Sequence, residues 1–331
     1  MVFECDGKRE TVSFGDEQEF TNAILKLTRT KKKKIYFVQG HGEHGYDSYD
    51  DEGLSSVKNA LEKLEYKVDK LELFRKQQVP KDCDVLVIAG PTKPFMPVEI
   101  DALRQYLEDG GKAFIMLDPQ SPSFSEILGD YGIEVKSGMV FDIVTLARDP
   151  RGLLITGFEW HDITRPFMKA RAMALLFVAC RALKKTESTP EGYEVVELLK
   201  TTPESWIKQH FTENIAPTAD DERGPFAVTI AVAPSRGASG SKEKKTRLVV
   251  TGDSDFPTNR YVGAFYNADF FINSINWLAQ EEELIEIQRK QETPDTFVLT
   301  RGQQVFIFVW SVIGLPLLVL LIGGIVWFLR R

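Results

Sequence analysis

Residues 84–119 read DVLVIAGPTKPFMPVEIDALRQYLEDGGKAFIMLDP, and this stretch decides the fold class. Asp84 to Ala89 is a continuous apolar run closed by Gly90-Pro91, the pattern of a strand buried on both faces. Pro97 then opens a helix with Ile100, Leu103 and Leu107 on one side and Gly110-Gly111 as its stop. Lys112 to Leu117 is a second apolar run, ending at Asp118-Pro119. Strand, helix and strand at these intervals require a right-handed crossover and parallel pairing. Upstream, Ile35 to Val38 is a strand with Gly40 behind it, and Leu54, Val57, Leu61 and Leu64 recur at helical spacing before a further strand near 66–73. The expectation is an α/β fold: an open, mostly parallel sheet flanked by helices.

Residues 120–225 are less legible. Short strands are expected near 138–144 and 153–157, and a helical stretch near 167–183. Pro225 to Ala233 reads as a strand, SRGASGSKEKK (235–245) as a hairpin loop, Arg247 to Thr251 as a strand, and Asp269 to Ala279 as a helix. The expected organisation is a strand-like segment over 1–30 packing on the main domain, that domain over 31–280, a polar connector over 281–304 and a transmembrane helix over 305–329.

The last expectation rests on VFIFVWSVIGLPLLVLLIGGIVWFL (305–329), which carries no charge. As a helix it would be about 37 Å long, against a hydrocarbon core of about 30 Å. Trp310 and Trp327 fall at the two interfaces, and Pro316 and Gly323-Gly324 are tolerated in lipid. Arg330-Arg331 places the C-terminal end inside and the domain outside; no export signal opens residues 1–30, so an upstream membrane segment is expected.

With a net charge of -7 among 331 residues, the chain has no basic face for phosphates, which excludes a nucleic-acid partner. Lys31 to Lys34 is the one dense basic run, read as a solvated strand entrance. Cys5, Cys83 and Cys180 have neither disulfide nor zinc-ligand spacing.

Gly40-His41-Gly42-Glu43-His44-Gly45 satisfies GxGxxG in letters only. No helix starts at once behind it, Glu43 would repel a pyrophosphate, and Tyr46-Asp47 replaces the Lys-Ser/Thr of a P-loop. His41, Glu43 and His44, with Asp47, are of the types that ligate zinc, but no HExxH supports them and His161 and His210 are remote. No metal and no cofactor is expected. In an open α/β sheet, ligands bind beyond the strand carboxyl ends. The loops 40–47, 90–94, 118–121 and 252–259 would converge there, offering His41, Glu43, Asp118, Asp253 and Asp255, with Ser254 and Asn259, to the hydroxyls of a carbohydrate or another polar ligand. The opposing reading is that aspartates after strands cap the next helix. No GxSxG elbow is present and Cys83 precedes its strand, so the chain is expected not to be an enzyme. A membrane-tethered hydrolase built on His41 and Glu43, and a purely structural scaffold, are the alternatives.

In combination, KKKKIYFVQGHGEHG, VLVIAGPTKPF, PVEIDALRQYLEDGGKAFIMLDP, RLVVTGDSDF and NADFFINSINWLAQEEELIEI resemble the GldG-type auxiliary components of ABC transporters, first associated with bacterial gliding motility. The resemblance spans roughly 10–290. It implies a domain with the fold of class I glutamine amidotransferases, flavodoxin-like, without their catalytic cysteine, and related to a domain of an intraflagellar transport component. It further implies anchorage in the cytoplasmic membrane with the domain outside, permease and ATPase partners, and a non-catalytic binding role. His41, Glu43, Asp118, Asp253 and Asp255 occupy the motif positions.

Overall fold

A computed structural model describes residues 1–5, 8–11, 32–146, 149–169, 174–187, 190–209, 215–235, 246–281, 310–314, 316, 320, 323, 325–327 and 329–330. The chain divides into two compact units, Met1–Gln288 and Arg289–Arg331.

In the first unit, VFEC forms β1 (Val2–Cys5), paired antiparallel with β2 (Lys8–Thr11). There follow β3 (Lys34–Val38), α1 (Ser55–Lys63), β4 (Lys67–Leu71), α2 (Leu73–Lys76), β5 (Val85–Ala89), α3 (Pro97–Glu108), β6 (Lys112–Met116) and α4 (Ser125–Leu128). The middle of the chain contributes β7 (Ile133–Val135), β8 (Met139–Phe141), β9 (Gly152–Ile155), β10 (Gly157–Phe158), α5 (Arg165–Lys169), β11 (Leu175–Val178), β12 (Leu183–Lys185), β13 (Tyr193–Lys200) and β14 (Trp206–Lys208). The unit closes with β15 (Ala227–Pro234), β16 (Arg247–Thr251) and α6 (Asn267–Leu278).

Among the described residues the main sheet has ten strands, with β4, β3, β5, β6 and β16 side by side and all parallel. Beyond β16 the sheet turns antiparallel through β15, β13 and β10, with β12 attached to β15 and β7 to β12. The expected hairpin is found, since β15 and β16 are consecutive and antiparallel.

The apolar runs alternate between two cores, as a period of two demands. Ile35, Phe37, Val85, Val87, Phe114 and Val249 face one side, packed under α1 through Val57 and Leu61 and under α6 through Phe270, Phe271 and Ile275. Tyr36, Val38, Leu86, Ile88, Ile115 and Val250 face the other, covered by Leu73 of α2, Leu103 and Leu107 of α3, and Ile127 and Leu128 of α4. With helices on both faces, every central strand is buried, which is why these runs carry no polar alternation.

The helix expected over 167–183 is corrected. Among its described residues the helix is confined to Arg165–Lys169, and Leu175–Val178 is a strand paired with β9. Tertiary packing decides it: Phe177 lies 5.2 Å from the Phe256 ring and 6.4 Å from Phe270, and the Leu176 backbone is bonded on both sides by the Asn267 amide.

The lysine run is used structurally. Lys32 pairs with Glu65, Lys33 with Glu281 and the carbonyl of Ala279, and Lys34 with Asp82. The cysteines are free; Cys180 is buried, and burial pushes the Cys83 thiol up to about 12.

In the second unit, Trp310–Gly314 form a π-helical turn, and residues 316, 320, 323, 325–327 and 329 are helical. Among the described residues no helix is long and apolar enough to cross a membrane. Most of the expected connector (281–304) and many residues of the expected span (305–329) lie outside the described residues, as do residues 6–7 and 12–30 of the expected N-terminal segment.

Candidate functional site

The parallel strands run in the order β4-β3-β5-β6-β16, so the chain leaves β3 toward one edge and returns past it to β5. The crevice beyond the carboxyl ends of β3 and β5 is therefore the topological switch point, where open α/β sheets take their ligands. The loops after β3, β5, β6 and β16 touch one another there. Two glycines make this approach possible. Gly42 (φ +85°) lies so close to Thr92 that a Cβ would sit 2.1 Å from its hydroxyl oxygen. Gly90 (φ +67°) abuts Ser254, with a Cβ placed 2.3 Å from Ser254 Oγ.

The predicted residues fall into two groups. In the first, the buried ring of His41 stacks on Phe95 at 3.8 Å between centroids. Its Nδ1 lies 3.2 Å from Glu43 Oε1, and its Nε2 3.0 Å from Glu99 Oε2. Glu43 folds back on its own loop, its Oε2 accepting the amides of Gly40 and His41 at 2.9 and 2.7 Å. Glu99 accepts the Met96 amide at 2.8 Å at the start of α3, and its Oε1 is enclosed without a partner among the described residues. His41 is thus a strut between the β3 loop and α3, with both ring nitrogens engaged.

In the second group, Asp118 accepts the Ser254 amide through Oδ1 at 2.8 Å and the Ser254 hydroxyl through Oδ2 at 2.6 Å. It ties the end of β6 to the end of β16 rather than capping a helix. Asp253 is fully buried and accepts the amides of Val178 (2.6 Å) and Asp255 (2.7 Å). Burial, then the Asp255 and Asp118 carboxylates, hold its carboxyl well above the usual range, against the pull of those amides. The Asp255 carboxyl is raised to about 6, first by burial and then by Asp118, while His44 draws it down. His44 joins the groups, its Nε2 2.9 Å from Ser254 Oγ and 3.7 Å from Asp255 Oδ1.

Asn259 clamps the long β3–α1 loop. Its Nδ2 donates to the carbonyls of Ser48 and Asp50, and its Oδ1 accepts from the Ser56 amide and the Ser55 hydroxyl. Three residues that sequence reading does not single out also build the crevice: Phe95, Glu99 and Arg181. The buried guanidinium of Arg181 donates to the carbonyls of Lys136 (2.6 Å) and Ser121 (2.8 Å), strapping the β6 loop to the segment after β7. Among the described residues no three His, Cys, Asp or Glu side chains are grouped to hold a metal.

The raised Asp255 carboxyl has a consequence for stability. The folded state holds this proton between about pH 4, where the unfolded residue loses it, and about pH 6. Stability therefore falls as pH rises through that window and stays reduced above it. Discounted for partial exposure, the effect is about 1–2 kcal/mol. Thermal melts of Asp255→Asn should show a more stable protein than the parent at pH 7.5, with the difference vanishing near pH 4.

Among solved structures, the mmIFT52 N-terminal domain is similar over 74% of this chain and 96% of that chain, at 20% identity and a TM-score of 0.53. A putative ThuA-like protein from Bacteroides uniformis is similar over 75% and 91% of the two chains, at 17% identity and a TM-score of 0.44. A putative GMP synthase protein from Thermoplasma acidophilum is similar over 77% and 98%, at 10% identity and a TM-score of 0.41. The first of these likenesses is one of fold. No curated protein matches. A family model described as an ABC-type uncharacterized transport system matches residues 32–285, from β3 to beyond α6. The chain belongs to this family of auxiliary components of ABC-type transport systems.

Proposed function

We propose that the chain is a non-catalytic, GldG-type auxiliary component, held at the cytoplasmic membrane beside a permease and an ATPase. Its α/β domain binds a polar ligand or a partner protein through the strand-end crevice. The observation that carries the non-catalytic reading is the direction of one hydrogen bond. Ser254 is the hydroxyl beside a histidine in the crevice, but it is fully buried and gives its proton to Asp118, not to His44. In a nucleophilic serine the histidine takes that proton and the carboxylate orients the histidine. His41, the base of the hydrolase alternative, has both nitrogens held by glutamates.

Membrane attachment through 305–329 is supported by the exposed apolar side chains of Trp310, Val312, Leu320, Ile325, Val326, Trp327 and Leu329, which lipid would cover. Arg330-Arg331 supports an extracytoplasmic domain. Isolation in mild detergent from the native membrane tests the assembly. A permease and an ATPase should co-purify, and a chain lacking 305–331 should leave the membrane fraction. Recovery of the intact chain without either partner, or a truncated chain that still sediments with membranes, would count against the proposal.

A further inference from the structure

His44 holds one hydrogen between two acceptors. Ser254 Oγ donates to Asp118 Oδ2 at 2.6 Å, and the Ser254 amide donates to Oδ1 of the same carboxylate. A hydroxyl has one proton. The contact of that oxygen with His44 Nε2, at 2.9 Å, is therefore one in which serine accepts and Nε2 carries the hydrogen. The same Nε2 lies 3.7 Å from Asp255 Oδ1. The ring is thus bonded to a neutral hydroxyl, with a carboxyl oxygen just beyond bonding distance.

The two acceptors respond differently to pH. Ser254 is fully buried and stays neutral, whereas Asp255 keeps 32% of its side-chain surface and its carboxyl is the one raised to about 6. Below that pH it is a neutral acceptor like the hydroxyl. Above it the acceptor is an anion, and a hydrogen bond to an anion is shorter and about twice as strong as one between neutral groups. The charged groups that face this carboxyl are Asp118 from β6, Asp253 and Arg260 from its own loop, and His44 and Glu52 from the β3–α1 loop. Among the described residues His44 is the one basic side chain within 4 Å of it. Both backbones are pinned. The His44 amide donates to the Ala89 carbonyl and its carbonyl accepts from Gln39, while the Asp255 amide donates to Asp253 and its carbonyl accepts from Thr258. Side-chain rotation is then what can close the gap.

We infer that His44 is a two-position switch in the crevice: its ring bonds Ser254 while Asp255 carries a hydrogen, and turns to Asp255 when that carboxyl ionises. The hydrogen stays on Nε2 in both positions and only its acceptor changes. The turn leaves both bonds from Ser254 to Asp118 intact, so the tie between β6 and β16 holds at either pH. What moves is the side-chain tie from the β3–α1 loop, by one residue, from 254 to 255. The crevice accordingly presents a neutral carboxyl beside the ring below about pH 6, and a paired histidine and carboxylate above it. The device is internal to the α/β unit and goes beyond the proposed function, because it operates with no ligand or partner present.

Solution NMR on the full chain in detergent tests this, with carbon-13 and nitrogen-15 in histidine, serine and aspartate. At pH 5 the His44 ring hydrogens should show their stronger Overhauser contacts to the β hydrogens of Ser254, and at pH 7.5 to those of Asp255. The midpoint of that exchange should coincide with that of the Asp255 carboxyl carbon signal, near pH 6. Asp255→Asn keeps the shape of the side chain but cannot ionise, and its His44 ring should stay on Ser254 at both pH values. A parent ring that keeps the same neighbour at both values would overturn the inference. So would a ring that still moves in Asp255→Asn, since titration of His44 itself would then drive the motion, or a midpoint displaced from that of the Asp255 carboxyl. None of these results touches co-purification with permease and ATPase, from which the proposed function is read.

Discussion

Replacing Gly252 by alanine is expected to abolish folding of the α/β unit. The residue follows β16, where its amide donates to the Val228 carbonyl and its carbonyl accepts the Arg181 amide at 2.6 Å. A Cβ at this position would lie 1.7 Å from the carbonyl oxygen of Arg181 and 2.7 Å from its carbon. Both are backbone atoms, so no rotamer change relieves the overlap; the 181 segment would have to move away from β16. That movement would also disturb Arg181, whose guanidinium carries the β6 loop, and the Asp253–Val178 bond beside it. The cost should exceed about 4 kcal/mol, in the range reserved for gross steric conflict in a core. Expression of Gly252→Ala should give aggregated protein, or a urea midpoint far below that of the parent.

The second large effect is expected at Asn267, the first residue of α6. Its side chain is buried and fully used: Oδ1 accepts the Leu176 amide at 2.9 Å, and the two hydrogens of Nδ2 are shared among the carbonyls of Leu176, Phe256 and Tyr261, at 3.0 to 3.1 Å. One amide thus supplies β11 with both an acceptor and a donor, as a neighbouring strand would, and joins it to α6. Leucine at 267 has nearly the same volume but neither function. It would leave the Leu176 amide and the carbonyls of Leu176 and Phe256 short of a partner where water has little access, at about 1–3 kcal/mol for each poorly satisfied group, while the Tyr261 carbonyl keeps the Ala264 amide. With partial relaxation, Asn267→Leu should lose about 3–5 kcal/mol in chemical denaturation, and hydrogen exchange should quicken first at Leu176 and its β9 partners.

The contrast between β5 and β13 shows what can be read in advance. Val85 to Ala89 is buried on both faces, so its apolar run states its own environment without reference to any other part of the chain. In YEVVELLK (193–200) the register slips around Leu198, between Glu197 and Lys200. A bulge shifts the phase of in-and-out alternation, and the letters then fit neither period. β11 reads as helix because LLFV is too short for periodicity to separate strand from helix, and the Asn267 amide that fixes it lies far along the chain. At the crevice, the strand-end loops are legible because glycine and aspartate follow apolar runs. Their chemistry is not. Asp118 and Asp253 look like free carboxylates in sequence but spend both oxygens on backbone amides or Ser254. Glu99 looks like an N-terminal helix residue on a solvent face, and only the fold brings His41 against it.

The parallel pairing of β6 with β16, from Lys112–Arg247 to Met116–Thr251, has a consequence for biosynthesis. All of residues 117–246 must be made between the two partners. A nascent chain that has reached β15 already contains β4, β3, β5 and β6 but cannot yet supply the strand that covers the last of these. Until residue 251 clears the ribosome, an apolar edge with unpaired amides and carbonyls stays open to any other strand in reach. The growing polypeptide is therefore most exposed to mispairing during synthesis of its middle third, and a holdase that binds extended apolar segments would have its greatest use in that interval.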